Sequence, residues 1–174
     1  MSQLWLYGEA TNISQSSQEL SRVTGTFYDA QGQVIAGADK TVSGFPVFVV
    51  PPGGRVPFVL VAYGILTAAD YDLSVEALPS SDTPRQDFQF PSSTTSTNAW
   101  GDYCVTGTLH NSGGALLEYL RIVAVLYDSQ NNVVNFDKYV VTQAVAGNQD
   151  VPFTICVDPL EQTVARNELR AWGQ

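Results

Sequence analysis

The feature that most constrains this chain is an internal repeat. Residues 6–34 (LYGEATNISQSSQELSRVTGTFYDAQGQV) lie over residues 105–133 (VTGTLHNSGGALLEYLRIVAVLYDSQNNV) without a gap, at a constant offset of 99. Gly8 falls on Gly107, Asn12 on Asn111, Tyr28 on Tyr127 and Asp29 on Asp128. Further along, Val56-Pro57-Phe58 falls on Val151-Pro152-Phe153 at an offset of 95, a difference that short loop changes absorb. A pattern held over that length implies one structural unit used twice. The period is too long for a solenoid and suits a sandwich, which predicts one module over 1–83 and a second over 84–174. The first strand begins almost at residue 1, so the first module reads as trimmed at its N-terminus.

Hydrophobic periodicity assigns the class. Leu6, Gly8 and Ala10 alternate with polar residues, as do Val105, Gly107 and Leu109, which is the period of a half-buried strand. A glycine inside a strand costs stability, and its presence in both copies is explained by a close approach of backbone or of a large side chain. Asn12 and Asn111 end these strands in turns closed by their own side-chain oxygens. Val23, Gly25 and Phe27 share one face of the next strand, matched by Ile122, Ala124 and Leu126. Tyr28-Asp29 and Tyr127-Asp128 then open hairpin turns in which Gly32, and Asn131 or Asn132, accept positive φ. Pro57 and Pro152 cannot donate to a ladder and should lie at a strand start or a free edge. Helical turns are allowed only over Asp158 to Arg170. Between the copies, Pro79 to Pro84 reads as linker and Gln86 to Phe90 as a strand that either leads the second module or closes the first. The predicted fold is all-β: two tandem immunoglobulin-like, Greek-key β-sandwich modules.

The two copies resemble the bacterial and archaeal Ig-like modules of the FxLYD kind. The motif reads Ala124-Val125-Leu126-Tyr127-Asp128 in copy two, after Val105-Thr106-Gly107-Thr108-Leu109-His110-Asn111. Copy one has Gly25-Thr26-Phe27-Tyr28-Asp29, with Gly8 and Asn12 before it and Pro52-Gly53 and Phe58 after it. Gly25 and Ala124 stand where the family has its leading Phe. The resemblance implies an exported, lipid-anchored or membrane-tethered prokaryotic protein, with no catalytic residues and no cofactor to carry over. In sandwiches of this kind the strands bearing Cys104 and Cys156 are antiparallel neighbours, and parity turns both sulfurs outward. A cross-strand disulfide and two free thiols are both compatible with that placement, and no CxxC spacing points to metal or redox chemistry.

Charge bears on partners. The chain has 17 acidic against 8 basic residues, a net charge of -9, which repels phosphate backbones and anionic membranes. No apolar run is long enough for a membrane-spanning helix, and no secretory signal opens the chain. Any signal or anchor of an extracellular or surface protein is therefore expected outside these residues. His110, the only histidine, reads as a solvated strand residue, since one histidine without clustered Cys or carboxylates builds no zinc site. Asp29, Asp39, Asp128 and Asp137 lack the dense spacing of a calcium loop and read as turn formers. Asn12-Ile13-Ser14 is a glycosylation sequon by pattern only. Val123, Val125 and Tyr127 form an apolar outer face in copy two, covered either within the protein or by a protein partner or second copy. Together these features predict a non-catalytic interaction, adhesion or spacer module, with a carbohydrate- or peptide-binding module as the alternative if Trp5, Trp100 or Trp172 is exposed beside Asn and Gln.

Overall fold

A computed structural model describes residues 2–174, and within them the chain is all-β with no α-helix. It divides into two compact units, Met1–Asp82 and Thr83–Gln174. Unit one holds β1 (Gln3–Thr11), β2 (Gln18–Tyr28), β3 (Val34–Ala36), β4 (Thr41–Gly44), β5 (Val49–Val50), β6 (Arg55–Tyr63) and β7 (Asp70–Pro79). One antiparallel sheet runs β1-β6-β4. In the other, β7 follows one side of β2 while β3 and β5 pair with the two ends of its opposite side. Val23, Phe27, Val56, Phe58, Leu60 and Ala62 are buried between the sheets, at the period-2 positions of β2 and β6.

Unit two holds β8 (Gln89–Thr97), β9 (Tyr103–Asn111), β10 (Leu120–Tyr127), β11 (Val133–Val141), β12 (Gln149–Val157) and β13 (Arg166–Gly173). Its sheets run β12-β9-β8 and β11-β10-β13. Val105, Leu109, Ile122, Leu126, Phe153 and Ile155 form the heart of its core.

The units share a plan and differ in two strands. After β3, Gly37 and a single 3-10 turn at Ala38–Lys40 carry the chain across to the other sheet, where β4 pairs with β6. The Val23 N–H, left without a strand partner on that side, donates to the Ser43 hydroxyl at 2.9 Å. In unit two the equivalent return strand, β11, stays beside β10 along its whole length. The second difference is β8, which adds to the open side of β9 and has no counterpart beside β1 among the described residues.

Pro57 lies in β6 beyond the reach of β4, which pairs only with Val59–Ala62, and Pro152 lies on the edge strand β12. Neither missing N–H interrupts a ladder. The helical turns allowed over 158–170 do not form. Leu160 and Glu161 take positive φ in a tight turn closed by a hydrogen bond from Gln162 N–H to the Pro159 carbonyl, and β13 begins at Arg166. Pairing of β13 along β10 overrides the local helix signal.

Candidate functional site

Cys104 and Cys156 sit directly opposite each other in the β9–β12 register and form a disulfide with a Cα–Cα separation of 4.0 Å. Thr106 and Thr154 are the next pair on that face, with hydroxyls 3.1 Å apart, followed after one more step by His110 and Asp150, whose side chains meet at 2.7 Å. These cross-strand pairs line one outward row of the sheet. His110 is thus a partly exposed strand residue bonded to a carboxylate, and among the described residues no group of three or more His, Cys, Asp or Glu converges as metal ligands would.

The repeated polar residues are committed to backbone. The Asn12 amide donates to the carbonyls of Ser16 and Val50, and its side-chain oxygen accepts from the Ser14 N–H. Asn111 repeats the clamp, donating to the carbonyls of Gly114 and Ala146 and accepting from the Gly113 N–H. Asn12 therefore ties the loop after β1 to the end of β5, and Asn111 ties the loop after β9 to the loop before β12. Asp29 accepts from the N–H groups of Gln31 and Gln33, and Asp128 from those of Gln130 and Asn132. Gly32 and Asn131 supply the positive φ in these turns. The Asn132 side-chain amide, with the backbone N–H groups of Asn132 and Gln130, holds the Asp128 carboxyl below the usual carboxylate range.

Val123, Val125 and Tyr127 are buried, so they offer no open apolar face. The Tyr127 hydroxyl accepts from Arg170 at 2.6 Å, and the Arg166 guanidinium lies 3.7 Å from the ring centroid. Periodicity placed these residues on the outward side of β10 but carried no signal of what covers them. Of the three tryptophans, Trp172 is buried, whereas Trp5 and Trp100 are exposed.

The surface that the sequence did not disclose is the flank of unit one between β1 and β7. Tyr71, Leu73 and Val75 pair with Phe27, Gly25 and Val23 and so face the core side of their sheet. They are nevertheless 48, 40 and 47% exposed. Beside them opens an apolar cleft of about 260 Å³ lined by Ala10, Leu20, Val50, Val56, Val75 and Ala77. That is below the roughly 300–1,000 Å³ of small-molecule sites.

In unit two the corresponding flank, between β9 and β13, is closed. Ala171 stands where unit one has Val75 and is only 4% exposed. The segment leading into β8 is the reason. Arg85 exchanges both backbone hydrogen bonds with Gly173 at the end of β13, at 2.8 and 3.1 Å. Phe88 then packs against Gly173, and Phe90 meets Phe153 edge-on with centroids 5.9 Å apart. The Arg85 guanidinium fixes this entry by bonding Asp87 and the Gly114 carbonyl. In return it holds the Asp87 carboxyl below its ordinary pKa. No protein-family model and no curated protein matches this chain.

Proposed function

We propose that the chain is a non-catalytic interaction and spacer part of an exported or surface-anchored prokaryotic protein, related to the FxLYD-type modules it resembles. The observation that carries the interaction role is the apolar flank of unit one, where core-side residues of β7 stand open to solvent. The disulfide supports the location, because such bonds persist in oxidising compartments and are rare in the cytosol. Net charge of -9 argues against nucleic acid and anionic membranes as partners.

The location is tested on the protein in its native cells. Alkylation without reductant should find no free thiol at Cys104 or Cys156, and a membrane-impermeant amine reagent applied to intact cells should label Lys40 and Lys138. Free thiols in a protein shielded from the reagent overturn this reading. The exposure of Trp5 and Trp100 favours a second reading, a carbohydrate- or peptide-binding surface. For that reading, indole fluorescence should respond saturably to an oligosaccharide or peptide panel and lose the response in Trp5→Ala or Trp100→Ala.

A further inference from the structure

Three observations on unit one fit a single cause. First, β1 ends its sheet, with β6 on one side and no strand on the other among the described residues. Hydrogen bonds from Gly64 N–H to the Ser2 carbonyl and from Asn12 N–H to the Gly54 carbonyl turn the even-numbered residues toward β6. Antiparallel alternation then points the N–H and C=O of Gln3 and Trp5 to the open side. Second, β1 (QLWLYGEAT) has no Pro or Lys and only one charge, so it lacks the usual devices that blunt an exposed edge. Third, the flank next to that edge exposes Tyr71, Leu73 and Val75 beside an apolar cleft.

Unit two shows what closes this arrangement. Its β9 carries β8 in antiparallel register, Ser93 opposite Gly107 and Thr95 opposite Val105. Where β8 bulges between Gln89 and Ser92, the Ser92 carbonyl comes within 2.6 Å of where a Cβ on Gly107 would stand. Only glycine leaves room for that backbone, and Gly8 holds the same place in β1. Phe88, just ahead of β8, and Phe90, in its bulge, pack against the core from the flank. Phe90 lies on Phe153, the counterpart of Phe58, and Phe88 lies on Gly173, the counterpart of Ala77 in the unit-one cleft.

We propose that the β1–β7 flank of unit one receives an extended strand from another polypeptide, with the chemistry of Arg85–Thr97. One or two aromatic side chains enter the cleft beside Val75 and Ala77, and a following Ser/Thr-rich stretch adds antiparallel to β1. Main-chain hydrogen bonds supply affinity in this mode, and the aromatic seat supplies selectivity. The proposal rests on the interaction role above and names its site and partner class.

The probe is a synthetic peptide of residues 85–97 (RQDFQFPSSTTST), titrated into the whole chain and followed by heteronuclear NMR with amide exchange. The expected result is saturable binding, with new protection at Gln3 and Trp5 and ring-current shifts of the Leu73 and Val75 methyl groups. A peptide with both phenylalanines changed to alanine should bind at least tenfold more weakly. Val75→Glu, at a half-exposed position, should keep the fold, as judged by circular dichroism and the unfolding midpoint, and lose the peptide. Several outcomes overturn the proposal. They are no binding at millimolar peptide, equal binding of the alanine peptide or to Val75→Glu, shifts confined to β9 and β13, or concentration-dependent shifts in the free protein showing that a second copy already fills the flank. Any of these removes the strand-receptor role and leaves the exported-spacer reading, which stands on the thiol and amine labelling.

Discussion

Asn111 illustrates how a single buried amide ties two loops together. Its side chain is fully buried and makes three backbone hydrogen bonds. Asn111→Ala would remove the partner of the Ala146 carbonyl and of the Gly113 N–H while the Gly114 carbonyl keeps Arg85, at a cost of about 2 kcal/mol for the lost bonds. Asn12→Ala, at a partly exposed position, should cost about 1 kcal/mol, and urea denaturation of both variants checks the ratio. The turn role of Asn12 and Asn111 was legible because an asparagine ending a strand has few other uses. Their second bonds, to Val50 and Ala146, span more than thirty residues and left no local trace. The paired glycines were legible in the same partial way. The rings of Phe58 and Phe153 press on Gly8 and Gly107, at 2.7 and 3.0 Å from where a Cβ would stand. The approach of Ser92 to Gly107 depends on a strand that alternation did not reveal in full.

That strand, β8, shows the limits of pattern at the scale of elements. β1, β2, β9 and β12 were readable because an apolar face alternates with a more polar one, and β6 and β10 because they are short, nearly continuous apolar runs. In β8 only Phe90 reaches the core, and the run Ser92 to Thr97 has no alternation to read. Its remaining signal was the β-branched character of its threonines. The crossing of β4 to the other sheet was equally silent: it follows the 3-10 turn at Ala38–Lys40 and leaves the Val23 N–H to the Ser43 hydroxyl, and hydrophobic alternation reports neither. The entry to β8 should respond to acid. Arg85 lowers the Asp87 pKa in the folded state, so the stabilisation is present above the ordinary carboxylate value of about 3.9 and is lost as pH falls through the lower folded value. Phe88 and Phe90 ring resonances should therefore be unchanged from neutral pH to about 5 and broaden only below about 4. In Asp87→Asn that acid-dependent step should be absent. The disulfide acts on a neighbouring element pair: replacing both cysteines with serine should lower the stability of unit two by about 2–4 kcal/mol, read from chemical denaturation.

At the scale of the whole molecule, the division at Asp82 and Thr83 makes the two units separable in response. Reduction of the disulfide should move an unfolding transition reported by unit-two probes and leave the Val75 methyl resonance of unit one in place at the same denaturant concentration. Ser81, Asp82 and Thr83 are exposed, so limited proteolysis should nick the chain there before it enters either core. The position of the disulfide has a mechanical consequence as well. Cys104 and Cys156 are 52 residues apart in the chain yet face each other across β9 and β12. Tension applied at the two chain ends would pass through the sulfur bond and bypass everything enclosed by it. About 170 Å of contour length is thereby withheld from stretching, at roughly 3.3 Å per residue. An optical-trap trace should show that length released only after a reductant is added.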